Sequence, residues 1–306
     1  MHGNGSPTAA ELAAILATDW PAQDDSAKLA GLLYERCYNH SILDPARPGT
    51  AAGQDLLPAL IGANQSRPTW DEGWRIDQPL DEGRVLARKG GAARAFLPGE
   101  YITDRGPDRG PDAEGAISVF SAPGTPELQT WFYFAFGETV DDLGSGTASL
   151  RVYWNIAPEG AAPLMEALTR ELNRFQVPFR FKCLRHTEHY TRRDPAILYV
   201  SRRYYPIVAM LIEETYPRVR QWLRETVPLF TKPSAHGLGM AEDPGESFGK
   251  HRSKILAEAI TASRGKNVAE GLEELSRQFA RRGLSLETPW LNAGSANTYE
   301  YPFPTA

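Results

Sequence analysis

The chain has 306 residues, 33 Lys and Arg against 38 Asp and Glu, a formal net charge of -5 and 42% hydrophobic residues. That balance excludes a general nucleic-acid binder, which needs excess cation, and the length suffices to bury a sizeable core. Two cysteines, Cys37 and Cys183, exclude a disulfide scaffold and a CxxC metal site, and no apolar run approaches the roughly 20 residues of a membrane span.

Residues 1–7 lack the basic and apolar regions of a signal peptide, so a cytoplasmic protein is expected. The first 75 residues read as mostly helical, with Leu29, Leu32, Leu33, Arg36 and Cys37 at helical spacing over 27–38. A Gly-, Pro- and Asp-rich loop spans 44–53. Strand-like stretches follow at 84–89 and 93–97, then a polar, breaker-rich loop over 98–115. The aromatic run Trp131-Phe132-Tyr133-Phe134-Ala135-Phe136 reads as a strand. Residues 148–156 alternate strictly: Leu150, Val152, Trp154 and Ile156 face one way, Arg151, Tyr153 and Asn155 the other. A helix over 160–176 spaces Leu164, Leu168 and Leu172 four apart. Residues 178–184 alternate again, with Arg180 and Lys182 opposite Phe179, Phe181 and Cys183, and 196–200 is a short apolar strand. Helices are expected around 205–214 and 218–225, a proline-bearing loop over 227–245, helices over 247–264 and 268–281, and a looped tail from Glu287. There is no internal repeat. The predicted class is α+β: a mostly antiparallel sheet carries the active site, flanked by helices, with a helical N-terminal region. The expected division is 1–80 and 81–306, or one continuous domain.

Cations recur in structured contexts. Arg151, Tyr153 and Asn155 share a strand face, Arg180 and Lys182 share another, and Arg192 and Arg193 precede the strand at Ala196. His251 and Arg252 sit near the start of the helix after Ser247, where free N–H groups and the helix dipole favour an anion. Strands also turn such residues outward to solvent. If the two strands lie on one sheet, the cations converge into a pocket suited to a phosphate dianion. In that pocket Lys182, beside Arg180 and Arg185, would have a lowered pKa and could act as a base. Tyr153 could donate a proton to a leaving group. His186 and His189 lack a third ligand, and no HExxH, GxSxG or Walker motif occurs, so neither metal nor cofactor is expected.

Six stretches carry a resemblance: Arg151-Val-Tyr-Trp-Asn155, Pro178-Phe-Arg-Phe-Lys182-Cys, Arg192-Arg-Asp194-Pro-Ala-Ile-Leu-Tyr199, Phe230-Thr-Lys232, Gly239-Met-Ala-Glu-Asp243-Pro-Gly and Glu246-Ser-Phe-Gly-Lys-His251-Arg252. From Arg151 onward the chain resembles the HopA family of type III effectors and its relatives in actinobacterial peptide biosynthesis. In class V lanthipeptide and thioamitide pathways the resemblance implies a lyase. A separate Ser/Thr kinase phosphorylates a ribosomal precursor peptide, and the lyase eliminates phosphate to leave dehydroalanine or dehydrobutyrine. The segment order is also distantly similar to phosphothreonine lyases, whose active strand reads Lys-Phe-His. On that similarity Lys182 matches the base, Tyr153 stands where the histidine acid would be, and Arg151 stands where the first lysine would be. Arg192 or Arg193 matches one phosphate arginine and Arg252 another. The resemblance thus implies Lys182 and Tyr153 as catalytic groups, with Arg151, Arg180, Arg192, Arg193, His251 and Arg252 around the phosphate. Asn155 and Lys232 are expected to bind substrate. The acid could be Tyr153 or a histidine such as His251. The implied partners are the phosphorylated precursor peptide and the kinase, with no nucleic acid or membrane. The rival readings are a non-catalytic phosphopeptide-binding or scaffold subunit of a kinase complex, and an effector-like protein.

Overall fold

The computed structural model describes residues 7–21, 26–43, 53–103, 114–139 and 148–300. Its helices are α1 (Pro7–Ala17), α2 (Ser26–Leu33), α3 (Leu57–Ala63), α4 (Pro158–Arg174), α5 (Tyr205–Val219), α6 (Phe248–Ala262) and α7 (Val268–Ala280). Its strands are β1 (Thr69–Pro79), β2 (Val85–Lys89), β3 (Ala92–Phe96), β4 (Tyr101–Thr103), β5 (Ala116–Ser121), β6 (Gly124–Gln129), β7 (Phe132–Phe136), β8 (Ser149–Trp154), β9 (Arg180–Leu184), β10 (Ala196–Ser201), β11 (Lys232–Ala235) and β12 (Leu238–Glu242). The class is α+β, as expected. No helix among the described residues is long and apolar enough to cross a membrane.

Two antiparallel sheets form. The larger runs β11-β12-β8-β10-β9-β7-β6 and the smaller β3-β2-β1-β5-β4. In the larger sheet the alternation of β8 is realised in full. Val152 and Trp154 turn to one side, with Leu198, Phe181 and Met240, and pack on Leu164, Leu168 and Leu172 of α4 and on α5. Tyr153, Ile197 and Ala241 turn to the other side and pack against α2, α6 and α7. The sheet is therefore sandwiched between two helical layers, the arrangement an amphipathic helix and a two-faced sheet both require.

Local sequence sets the helix ends. The Ser247 side chain accepts from the Lys250 N–H at the start of α6, and Asn267 with Glu270 forms a capping box at α7. The predicted helix at 27–38 begins as α2 and continues as a π-helical turn, Tyr34–Asn39. That turn carries Tyr34 and Tyr38, four residues apart, with their rings stacked at 5.5 Å.

Several expectations need correcting. The segment before residue 75 is not all helical: β1 starts at Thr69. It pairs with β2 on one side and β5 on the other. The strand was hidden because most of β1 faces solvent and a bulge interrupts its register between Asp71 and Trp74. β11 and β12 replace part of the loop expected at 227–245. Pro233 is tolerated because β11 is an edge strand, and Gly239 packs beneath Val227 and Thr231. β4 replaces part of the loop at 98–115, whose residues 104–113 lie outside the described residues, as do 44–52 of the loop at 44–53. The helix expected at 218–225 is only a short turn, Arg220–Trp222, closing α5.

Candidate active site

The cationic strands are not direct neighbours: β10 lies between β8 and β9. Their shared face is continuous all the same. Tyr153, Ile197, Lys182 and Phe134 form one row across β8, β10, β9 and β7, and Arg151, Tyr199, Arg180 and Phe136 form the next. Alternation on three strands thus gathers Arg151, Tyr153, Tyr199, Arg180 and Lys182 on the side that faces α6 and the π-helical turn.

Lys182 is buried, with a relative exposure of 9%. Its Nζ donates to Gln129 Oε1 at 3.1 Å, a neutral amide rather than a carboxylate. The amine also lies 4.3 Å from the Phe132 ring centroid and 5.8 Å from those of Phe134 and Tyr199. Burial lowers its pKa to about 8. Asp194 opposes that fall, while Arg151 and Arg192 add to it. Tyr199 links the cations: the Arg151 guanidinium carbon lies 5.2 Å from the same ring.

Both nearby arginines are held by acids. Arg151 donates from Nε and Nη2 to the two oxygens of Asp243, at 3.0 and 2.9 Å, and from Nη2 to the Glu246 carbonyl at 2.8 Å. Asp243 also accepts from the Gly245 N–H. Arg192 makes the same fork with Asp194, at 2.7 and 3.0 Å, and donates to the Tyr34 hydroxyl at 3.3 Å. Such bidentate pairs fix a guanidinium plane and keep it charged.

Tyr153 is fully buried. Its hydroxyl makes no well-formed hydrogen bond and lies beside the Tyr38 hydroxyl and Arg151, and burial pushes it up to about 12. An aromatic chain runs above the sheet: Tyr34 stacks on Tyr38 at 5.5 Å, and Phe248 lies 6.3 Å from Tyr38 and 6.4 Å from Tyr153. Gly249 makes this approach possible, since a Cβ there would sit 2.4 Å from Tyr38 Cε1.

The structure therefore brings together Arg151, Tyr153, Lys182 and Arg192, with Arg180 at the end of the same face. Arg193 turns away: it pairs with Glu11 of α1 at 3.0 Å and donates to the Cys37 and His40 carbonyls. Arg252 is completely buried. It donates to the Pro289 and Leu291 carbonyls at 2.8 and 2.9 Å and lies 4.8 Å from the Phe248 ring, and burial lowers its pKa to about 10. His251 shares a 2.7 Å hydrogen bond with Arg252, and burial, then Arg252, lowers its pKa. Asn155 donates to the Thr226 carbonyl at 2.6 Å, tying the end of β8 to a loop. Lys232, on the edge strand β11, donates to the Tyr299 carbonyl. Arg252, His251 and Asn155 brace chain segments rather than face the pocket, and Lys232, expected to bind substrate, lies with Met240 on the opposite face of the sheet.

Sequence reasoning missed Asp194 and Asp243, the acids that hold the two arginines. It also missed Tyr34, Tyr38, Tyr199 and Gln129. The alternation of the aromatic run could have placed Phe132 and Phe134 on one face, whereas nothing local announces an ion pair 92 residues apart.

A family model described as the HopA1 effector protein family matches residues 124–291, more than half of the chain, from β6 past the end of α7. The solved effector protein from Pseudomonas syringae pv. tomato strain DC3000 is similar at 15% identity and a TM-score of 0.53, covering 93% of this chain and 96% of that one. This is a likeness of fold. The effector protein from Pseudomonas syringae pv. syringae strain 61 matches at 22% identity and a TM-score of 0.43, covering 53% of this chain. The chain spans 63% of that protein's length. A comparison with curated proteins gave no match.

Proposed function

The chain belongs to the HopA1 effector protein family, and from that premise and the geometry of its pocket we propose that it is a lyase that eliminates phosphate from phosphoserine or phosphothreonine in a peptide. The observation that carries the reading is Lys182: a buried amine with a pKa near 8, bonded to an amide, on one sheet face with Tyr153 and Arg151 and close enough to Arg192 of the segment before β10 to feel its charge. A base must be neutral to accept a proton, and burial brings that form within about one pH unit of neutrality, so that a minority is neutral at pH 7 and the rate should rise towards pH 8.

The chemistry follows. Neutral Lys182 takes the proton from the substrate Cα. The Cα–H electron pair becomes the Cα=Cβ π bond, the Cβ–O bond breaks, and phosphate departs with the Cβ–O electron pair. Arg151 and Arg192 stabilise the charge that grows on the leaving phosphate, sharing it with, or exchanging it for, Asp243 and Asp194. Tyr153 can protonate the bridging oxygen, its high pKa keeping the hydroxyl protonated until then. Ammonium Lys182 then loses its proton and the Tyr153 phenolate regains one, both by exchange with solvent, which restores the starting state. The substrate proposed is a phosphorylated ribosomal precursor peptide, supplied by a partner Ser/Thr kinase in a lanthipeptide-type pathway. A non-catalytic phosphopeptide binder would use the arginines and gain nothing from a deprotonated lysine.

Incubating a phosphothreonine peptide with the protein and weighing the product tests this. Loss of phosphoric acid with formation of dehydrobutyrine supports elimination. Recovery of the free hydroxyl would indicate hydrolysis, and an unchanged but bound peptide would favour the binding subunit.

A further inference from the structure

The edge strand β6 does not pair regularly with β7. Thr125 stands opposite Phe134 and Gln129 opposite Phe132, so the chain advances four residues along β6 against two along β7. Regular antiparallel pairing onward from Thr125 would set Glu127 opposite Phe132. The irregularity removes that carboxylate from the ladder and brings Gln129 to its place, the re-aiming that a bulge beside a functional site performs. Glu127 is left exposed, its N–H donating to Thr125 Oγ1 at 3.2 Å, and Pro126 beside it has no ladder donor to lose. The turn Thr130-Trp131 then closes the hairpin, held by the Arg185 N–H on the Trp131 carbonyl at 3.0 Å.

The consequence falls on Lys182, which lies across β7 from this hairpin, opposite Phe134. Gln129 Oε1 accepts from its Nζ at 3.1 Å, and the Phe132 ring lies 4.3 Å from the same nitrogen. The other elements bring charge to the amine. β8 supplies Arg151 and Tyr153, the segment before β10 supplies Arg192 and Asp194, β10 supplies Tyr199, and β9 itself carries Arg180. The π-helical turn adds Tyr34, bonded to Arg192, and Tyr38. Asp194 is forked on Arg192 at 2.7 and 3.0 Å. β7 presents only the rings of Phe132 and Phe134. The direct partner of the amine is therefore an uncharged amide, set there by the irregular pairing of β6.

We propose that Gln129 is a positioning residue for the base: it fixes the Lys182 amine by accepting one N–H and, being uncharged, leaves that amine able to give up its proton. This rests on the elimination reading, in which Lys182 must be neutral. A held N–H stops rotation about the Cε–Nζ bond and turns the nitrogen lone pair away from the amide. A carboxylate in the same place would clamp the ammonium form instead.

The experiment takes the full chain with Gln129→Glu and Gln129→Met. It records the pH–rate profile on a phosphothreonine peptide, and the titration of Lys182 by NMR of ¹³C-labelled lysine, with the signal assigned through Lys182→Met. Gln129→Glu is expected to raise the Lys182 midpoint by about one to three pH units, to slow elimination at pH 7 about tenfold or more, and to recover the rate above the new midpoint. Gln129→Met is expected to leave the midpoint no higher than in wild type and to slow elimination about threefold to tenfold at every pH. A midpoint that Gln129→Glu does not move, or a Gln129→Met protein as fast as wild type, overturns the assignment. The NMR titration needs no turnover, so it separates this from the premise. A raised midpoint in Gln129→Glu upholds the control of the amine by Gln129 even if wild type forms no dehydrobutyrine, a result that counts against elimination alone.

Discussion

Replacing Lys182 by methionine removes a buried charge while keeping length and apolar bulk. Burial lowers the amine from 10.5 to about 8. At about 1.4 kcal/mol per pKa unit, holding the ammonium in the folded protein costs on the order of 3 kcal/mol. The sign follows from the protons bound. The unfolded chain keeps the lysine proton up to pH 10.5 and the folded chain releases it near 8. Between those values the unfolded state holds more protons, and stability rises with pH. The penalty is therefore present in full below pH 8 and gone above 10.5. Urea unfolding of wild type and Lys182→Met, across that range, is the assay. The variant should be more stable by about 3 kcal/mol at neutral pH, an advantage that vanishes as pH approaches 10.5. A stability difference that stays constant with pH would refute the reasoning, because the lysine would then titrate as an exposed one does.

Asp194→Asn removes the charge that opposes the fall of the Lys182 pKa, so the alkaline rise of the pH–rate profile should move to lower pH. Tyr153→Phe deletes a buried hydroxyl without a well-formed hydrogen bond. It should leave unfolding by urea unchanged or slightly harder, yet slow elimination by about 10²-fold or more if the tyrosine is the acid. Arg193→Ala leaves Glu11 unpaired where both side chains are under a tenth exposed, and denaturation should show a loss of about 3–5 kcal/mol, with phosphopeptide affinity unchanged in the folded fraction. Arg252→Met breaks two hydrogen bonds to buried carbonyls. It should destabilise by about 1.5–3 kcal/mol for each, measured by denaturation, with faster proteolysis of the segment at 287–300.

What was legible in the sequence is what strand periodicity dictates. The two-residue repeat of β8 and β9 put Arg151, Tyr153, Arg180 and Lys182 on definable faces, and the four-residue spacing of Leu164, Leu168 and Leu172 marked the helix that covers the other side. Long-range pairing was not legible. Arg151 and Asp243 are far apart in sequence, and only the pairing of β12 with β8 brings them together. The choice between Arg192 and Arg193 was invisible for a related reason. Both precede β10, and only the packing of α1 and the π-helical turn decides that Arg193 is drawn to Glu11 while Arg192 faces the lysine. Of the small sheet, the strands at 84–89 and 93–97 were legible and are β2 and β3, whereas β1, β4 and β5 were not, because the sheet's core is slight, with Trp74, Ile76 and Phe96 among few buried residues, and most of β1 is exposed and polar.

The central claim is that a neutral Lys182 removes the substrate proton, and it is tested most directly by single-turnover conversion of a phosphothreonine peptide by wild type and Lys182→Ala, with peptide affinity measured on both. The account predicts that wild type forms dehydrobutyrine, while the variant binds the peptide comparably and forms it at least about 10²-fold more slowly. Equal rates in the two proteins, or no dehydrobutyrine from wild type with a correctly phosphorylated peptide, would contradict it.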